Sequence, residues 1–120
     1  MDVRSLGAYG EARAARYLCW HGYRILERNY RCRTGEIDII ARKGSYLVFV
    51  EVKLRRDDRF AEAREFVTAA KQRRILSAAQ LYLSAHPDWD LQPRFDVLEI
   101  YAPQGERGRL RIHHIEDAFM

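Results

Sequence analysis

The chain is poor in residues that interrupt or crosslink a fold, with three prolines, seven glycines and two cysteines among its 120 residues. Proline and glycine are scattered singly, and no linker, low-complexity tract or internal repeat divides the sequence. Because this length is typical of one domain, we expect a single domain over residues 1–120. Cys19 and Cys32 have no spacing typical of a metal site, so we expect both to be reduced thiols.

Long apolar segments are also missing from the sequence. The longest apolar run extends only from Tyr46 to Val50, whereas a membrane-spanning helix needs about 20 residues. The first residues of the chain lack the charged and apolar regions of a signal peptide. We therefore predict a cytoplasmic protein with no membrane partner.

Charge is balanced apart from a modest basic excess. Lysine and arginine number 21 against 17 acidic residues, which gives a net charge of +4. Hydrophobic residues make up 48% of the chain, a fraction that excludes intrinsic disorder and is ordinary for a globular domain. The basic excess favours an anionic partner. Only three of the basic residues are lysines, namely Lys43, Lys53 and Lys71.

The hydrophobic periodicity predicts the element order αβββαββ and a fold of the α/β class. The first three strands are joined by short turns and predict an antiparallel meander, whose third strand is apolar enough to lie near the sheet centre. A long helix with Thr68 as its N-cap then allows a crossover, so the sheet should be mixed. The predicted elements are a helix over 5–20, strands over 23–30, 36–41 and 46–54, a helix over 68–85, and strands over 94–101 and 110–115.

Charged residues occupy strand positions at which a strand with a purely structural role would carry more valine. Glu51 and Lys53 alternate at the end of an apolar strand and should point to the same face. Asp38 lies among isoleucines in the preceding strand, and its carboxylate could approach that of Glu51 across the pair. Two carboxylates and an ammonium on a half-buried surface need compensation, which a hard cation such as Mg²⁺ would provide. The alternative is a structural charge pair at a sheet edge.

These residues resemble the PD-(D/E)XK signature of the restriction-endonuclease-like nuclease fold. The wider pattern is similar to the YraN-like bacterial family, which in turn is similar to archaeal Holliday-junction resolvases. The segments that carry the resemblance are Gly10-Glu11, Gly35-Glu36-Ile37-Asp38, Phe49-Val50-Glu51-Val52-Lys53, Lys71 and Arg94-Phe95-Asp96-Val97.

The resemblance implies a role for each matching residue. Asp38 and Glu51 match the metal-binding carboxylates, Lys53 matches the catalytic lysine, and Glu11 matches an extra acidic residue that helps to hold metal or water. The implied catalytic set is Glu11, Asp38, Glu51 and Lys53, with Mg²⁺ or Mn²⁺ held by the three carboxylates. The proline of the signature is replaced by Ile37.

Arginines concentrate in the turns and strand ends around these residues. Contact with phosphates would position a nucleic acid without reading its sequence. The alternative is a solvated basic surface. Lys71, beside Arg73 and Arg74, begins the long helix, where backbone N–H groups also favour an anion. The candidate phosphate contacts are Arg31, Arg33, Arg55, Arg56 and Lys71, and Arg42 and Arg59 belong to the same predicted cluster.

Three further pairs receive structural interpretations. Arg94 and Asp96 share a strand face and predict an ion pair. His113 and His114 are adjacent in a strand and should face opposite sides, which is poor geometry for a joint metal site. Trp20 and Trp89 belong to no aromatic run, so we expect both to be packing residues.

The function that follows is a Mg²⁺-dependent endonuclease that hydrolyses phosphodiester bonds in DNA, especially branched or structured DNA. One alternative is a catalytically silent nucleic-acid-binding module of the same fold, and another is an adaptor for DNA-processing proteins. A junction-cutting enzyme must act on two strands, so a two-fold homodimer is a further prediction.

Overall fold

A computed structural model describes the chain over residues 3–55, 67–101 and 110–119, with side chains from residue 7 onwards in the first range. The described elements follow the predicted order αβββαββ. They are α1 (Val3–Trp20), β1 (Arg24–Cys32), β2 (Gly35–Lys43), β3 (Tyr46–Arg55), α2 (Ala69–Ser84), β4 (Gln92–Tyr101) and β5 (Arg111–Ile115).

The five strands form one mixed sheet in the order β1-β2-β3-β4-β5. All neighbouring pairs are antiparallel except β3 and β4, which are parallel because α2 lies between them in the chain. β3 is the central strand, as its apolar sequence predicted, and Val48 and Val50 are fully buried within it. The α/β class and the mixed sheet are therefore confirmed, and they are consistent with a nuclease-like fold.

The two described helices cover opposite faces of the sheet. Phe49 of β3 packs in a core that includes Ile75 of α2, while Val50 packs in a second core that includes Leu18 of α1. Successive residues of a strand point to opposite faces. β3 therefore contributes alternate side chains to both cores, and this explains why its sequence is apolar without interruption until Glu51.

Local contacts fix where α2 begins and how closely it approaches the sheet. Thr68 Oγ1 accepts a hydrogen bond from the Lys71 N–H at 3.2 Å, which confirms Thr68 as the N-cap. A Cβ atom added to Gly35 would lie 2.8 Å from the Arg74 carbonyl oxygen. Glycine at this position therefore allows the β1–β2 turn to pack directly against the helix backbone.

Other expectations can be checked within the described ranges. Both cysteines are free, with Cys19 exposed. In the part of the chain that the structure describes, no helix is both long and apolar enough to cross a membrane.

The predicted Arg94–Asp96 ion pair is present and lies at the centre of a polar network. Asp96 is fully buried, and its two oxygens accept hydrogen bonds from Arg94 Nε and Nη2 at 2.9 and 2.8 Å. His114 Nε2 lies 2.7 Å from the same carboxylate, while His113 lies near Glu99 instead. The two histidines therefore have separate partners, as the strand geometry predicted.

The tryptophan prediction was correct for one residue and wrong for the other. Trp89 packs against Tyr82 and His86, with a ring-centroid distance of 3.9 Å to His86. Trp20 is 88% exposed. It is the last residue of α1, and the two-residue step from the buried Leu18 places it about 200° around the helix axis, away from the sheet.

Candidate active site

The sheet opens between β2 and β3 at Asp38. Backbone pairing of these strands ends at Ile39 and Val50. Beyond that point the Val52 N–H donates a hydrogen bond to Asp38 Oδ2 at 2.8 Å, so a carboxylate takes the place of a backbone carbonyl. The opening holds the Asp38 side chain between the two strands.

The same opening disturbs β2 on its other side. Asn29 of β1 lies opposite Asp38 and adopts a left-handed backbone conformation with φ 54°. Ile37 and Ile40 both pack in the core beneath α2, whereas strict alternation would place them on opposite faces. The irregularity is therefore centred on Asp38, where regular pairing would have buried a charge inside the ladder.

Glu51 and Lys53 point to the same face, as the strand spacing predicted. Only 6% of the Glu51 side chain is exposed, and Lys53 Nζ lies 3.6 Å from its Oε1. The Lys71 ammonium at the start of α2 forms a closer ion pair with the same Glu51 oxygen. The carboxylate of Glu51 is thus held between two lysines that come from β3 and α2.

The structure also brings Asp38 and Glu51 together. Burial raises the pKa of Asp38 from 3.8 to about 7, and the nearby negative charge of Glu51 is the second cause. The Val52 N–H opposes this rise but does not outweigh it. Two carboxylates that repel each other in a partly buried place carry a cost that a cation would relieve.

The two lysines differ in how easily they lose a proton. Burial lowers the pKa of Lys53, and the hydrogen bond and positive charge of Lys71 lower it further. Burial also works against the charge on Lys71, but its hydrogen bond to Glu51 and the charge of that carboxylate raise the pKa overall. Lys71 is therefore the fixed cation of the site, and Lys53 is the amine whose proton is easier to remove.

Glu11 lies near these residues but does not complete a closed set of ligands. Its charge, on α1, is a lesser cause of the raised pKa of Asp38. Across residues 3–55, 67–101 and 110–119, no group of three or more histidine, cysteine, aspartate or glutamate side chains is placed to hold a metal ion. The donor set that the site does offer, Asp38 and Glu51, consists of carboxylate oxygens. That set fits a hard divalent cation that keeps several of its waters.

A basic cleft of about 570 Å³ lies between the β1–β2 turn and the first turns of α2. Its cationic side chains are Arg31, Arg33, Lys71 and Arg74. Arg31 also pairs with Glu36 at 3.4 Å, on an exposed surface. Lys71 lines the cleft and bonds to Glu51, so it connects the basic cleft to the carboxylates.

The other predicted phosphate contacts have different outcomes. Arg55 is the half-buried last residue of β3, two positions beyond Lys53. Arg56 and Arg59 lie outside the described residues. Arg42 was wrongly grouped with them, because it pairs with Leu47 near the β2–β3 turn, at the end of the strands opposite the opening. Arg33 precedes the first residue of β2 and Arg42 is next to the last, so the length of the strand separates them.

The pairing of Lys71 with Glu51 is the feature that sequence reasoning missed. Lys71 was assigned to phosphate binding on the basis of its place at a helix start. The scarcity of lysine could have indicated a special role for Lys71, since it is one of three lysines in a chain rich in arginine. A compact ammonium suits a crowded site better than a planar guanidinium does.

Comparison with known proteins gives matches along almost the whole chain. Residues 10–100 match the model of the uncharacterised protein family UPF0102. A UPF0102 protein of Symbiobacterium thermophilum is 50% identical over 116 residues, which cover 97% of each chain. One of Caldanaerobacter subterraneus is 40% identical and covers 99% of this chain and 98% of its own. One of Pelobacter propionicus is 48% identical and covers 98% of this chain and 84% of its own.

Proposed function

This chain belongs to the UPF0102 family, and we propose that it is a metal-dependent endonuclease that hydrolyses phosphodiester bonds in DNA. The family match agrees with the resemblance to the YraN-like family that the motifs indicated. The activity itself rests on the chemistry of the site rather than on the names of relatives.

The observation that carries the proposal is the pair of carboxylates at the strand opening. Asp38 is held between β2 and β3 by the Val52 N–H, and its pKa is raised by burial and by Glu51. A binding module has no need for two mutually repelling carboxylates beside a cleft that attracts phosphate. A hydrolase does, because the pair would hold a divalent cation against the scissile phosphate.

Asp38 and Glu51 would hold Mg²⁺ or Mn²⁺, and Glu11, whose charge acts on Asp38, would help to hold the ion or its water. The bound ion would supply a Lewis acid for the phosphoryl oxygen and would acidify the attacking water. The Lys71 ammonium, which pairs with Glu51, lies beside the two carboxylates and would face the phosphate.

Lys53 has the side chain best suited to the reacting atoms. Its Nζ shares the face of Glu51, and because burial and the neighbouring Lys71 lower its pKa, it gives up a proton more readily than an exposed lysine. Hydrolysis joins a water oxygen to phosphorus and breaks one phosphorus–oxygen ester bond. Lys53 Nζ would orient the attacking water or neutralise the charge that develops on the phosphoryl oxygens.

The basic cleft would position the rest of the DNA. Its cations, Arg31, Arg33, Lys71 and Arg74, lie beside the carboxylates and can pair with phosphates in any sequence. We propose branched DNA as the substrate. A homodimer of this protein would cut two strands of it in the cytoplasm, one at each of its two sites. A symmetric pair of sites at fixed separation is the simplest way for one small domain to cut both strands.

A second candidate function is a nucleic-acid-binding module without turnover. The Lys71–Glu51 ion pair favours this alternative, because it neutralises one carboxylate without a metal ion. In that case the charged cluster would hold α2 against β3, and the basic cleft alone would bind the nucleic acid.

Cleavage of defined DNA substrates separates the two candidates. Linear, flapped and four-way DNA would be incubated with the protein in Mg²⁺, in Mn²⁺ and in EDTA. An endonuclease should give products only with metal, and Asp38→Asn should abolish them while DNA binding in EDTA persists. Glu27→Gln is a matched control, since Glu27 is an exposed carboxylate of β1 outside the cluster.

Two results would contradict the endonuclease. The first is tight DNA binding with no product from any substrate in either metal, which would favour the binding module. The second is equal cleavage by the wild type and Asp38→Asn, which would assign the activity to another site or to a contaminant.

A further inference from the structure

A second cavity lies away from the candidate active site, between α1 and the edge strand β5. This α1–β5 groove has a volume of about 400 Å³ and is lined by Arg13, Arg16, Tyr17, Trp20, His21 and Ile112. Five of the six residues come from α1 or the turn that follows it. The endonuclease proposal assigns no role to any of them.

Trp20 is the most conspicuous residue of the α1–β5 groove. At 88% exposure it is far more open than the next large hydrophobic side chains in the described ranges, Tyr46 and Leu81, each at 41%. Beside it, the Tyr17 and His21 rings contact each other at a centroid distance of 4.1 Å, with their planes tilted by 33°. The groove therefore presents a free indole face next to an ordered pair of rings.

The arginines of the α1–β5 groove have no anionic partner within the part of the chain that the structure describes. Arg13 Nε is enclosed by protein atoms and makes no hydrogen bond there. Arg31 and Arg94, in contrast, are paired with Glu36 and Asp96. Arg13 thus lines the groove with a positive charge that no described carboxylate neutralises, so a phosphate in the groove would find an unpaired guanidinium there.

Helical spacing aligns these groups in one direction. Arg13, Arg16 and Trp20 follow one another at intervals of three and four residues, so their side chains form a stripe along α1. The stripe extends about 10 Å at the helical rise of 1.5 Å per residue, which is enough for more than one nucleotide of an extended strand. The same helix carries Glu11 to the candidate active site.

Resting on the proposed function, we propose that the α1–β5 groove binds an unpaired strand of the DNA substrate. One base stacks on Trp20, and the neighbouring phosphates pair with Arg13 and Arg16. An exposed aromatic face next to cations is the combination that binds single-stranded nucleic acid without sequence preference. A duplex hides its base faces, so it cannot use Trp20 in this way.

A strand-binding α1–β5 groove would restrict the substrate of the proposed enzyme to DNA that carries an unpaired segment. A duplex would lie in the basic cleft near Lys71, and an unpaired arm would pass around the sheet to the α1–β5 groove on its other face. DNA that joins paired and unpaired segments would contact both surfaces. Such DNA should therefore bind more tightly than either segment alone, because the second contact becomes intramolecular.

Tryptophan fluorescence measures this contact directly. The chain has two tryptophans, so Trp89→Phe leaves Trp20 as the only one and its emission reports on the α1–β5 groove. The full chain carrying Trp89→Phe would be titrated in EDTA with an oligothymidine of about 12 nucleotides and with a blunt duplex. The oligothymidine should quench the emission with saturation, and the duplex should leave it largely unchanged.

Labelled oligonucleotides then test the energetic role of each side chain by anisotropy in the same buffer. Trp20→Ala should weaken binding of the oligothymidine by about 5- to 100-fold, the effect of losing one stacked base, and should change duplex affinity less than about twofold. Arg13→Ala and Arg16→Ala should each lower the salt slope for the single strand by about 0.7. Leu81→Ala and Arg24→Ala are matched controls on α2 and on the opposite edge strand.

The outcomes separate this inference from the proposed function. Duplex binding with no quenching and an unchanged Trp20→Ala affinity for the single strand would overturn the groove assignment and leave the endonuclease in place. No binding of either DNA at low salt would overturn both. A self-associating protein that becomes monomeric on Trp20→Ala, with single-strand affinity unchanged, would show that the groove is a protein interface and would also overturn the inference.

Discussion

Replacement of Asp38 by asparagine should stabilise the metal-free protein at alkaline pH. Burial and the charge of Glu51 raise the pKa of Asp38 from 3.8 to about 7. Between these two values the folded protein holds a proton that the unfolded chain has released. Stability therefore falls as pH rises through this window and is constant above it.

The expected size follows from the same two values. A pKa difference from 3.8 to about 7 corresponds to roughly 4 kcal/mol of lost stability near pH 8, as an upper bound. Near pH 5 the loss is only about one to two kcal/mol. Asparagine can still accept the Val52 N–H but carries no charge. The gain in stability from Asp38→Asn should therefore grow by up to about two to three kcal/mol between pH 5 and pH 8.

Urea unfolding in EDTA at the two pH values measures this difference. Asp96→Asn is the matched control, because Asp96 is also a buried carboxylate of the sheet. Burial alone would raise the pKa of Asp96, but hydrogen bonds from His114, Arg94 and the Asp117 N–H lower it overall. Its contribution is present above the unfolded pKa near 3.8 and is lost as pH falls further, so Asp96→Asn should destabilise the protein near pH 8. If Asp38→Asn is destabilising there as well, Asp38 is a structural carboxylate and the reasoning is refuted.

Three other predictions concern metal, DNA and assembly. Millimolar Mg²⁺ or Mn²⁺ should raise the melting temperature of the wild type but not of Asp38→Asn, because the ion would bind only the carboxylate pair of the folded protein. An unchanged wild-type melting curve would argue against the metal site. Affinity for duplex DNA should fall steeply with salt and depend little on sequence, since the contacts proposed for Arg31, Arg33 and Lys71 of the basic cleft are to phosphates; anisotropy that is flat with salt would contradict this. Light scattering should detect a dimer, free or on four-way DNA, and a strict monomer in both conditions would exclude cutting by a symmetric pair of sites.

Local rules predicted the elements and the orientation of individual side chains. The alternation of a strand was sufficient to place Glu51 and Lys53 on one face. The hydroxyl of Thr68 marked the start of α2 because an N-cap interacts with the three residues that follow it. The uninterrupted apolar sequence of β3 predicted its central position, since only a strand covered on both faces can be apolar on both.

Those local rules could not predict contacts between elements that are distant in the sequence. The Lys71–Glu51 pair depends on how α2 lies across β3, and the chain between them sets no register. The opening at Asp38 depends on how β2 pairs with β1 and with β3 at the same time. The sequence showed only that short turns join these strands. Trp20 is a different case, because its place about 200° around α1 from the buried Leu18 turns it away from the sheet, and the helical spacing could have shown this.

The comparison of lysine variants in a cleavage assay tests the central claim most directly. Lys53→Ala removes the amine beside Glu51, while Lys43→Ala removes an exposed lysine that donates to the His21 carbonyl oxygen. With four-way DNA and Mg²⁺, Lys53→Ala should lower cleavage by roughly 10²-fold or more and leave DNA affinity in EDTA largely intact. Lys53→Arg should restore only part of the loss, because a guanidinium is bulkier and keeps its proton, and Lys43→Ala should cleave as the wild type does. Wild-type cleavage that Lys53→Ala reproduces at full rate would contradict the assignment of this site as the catalytic centre.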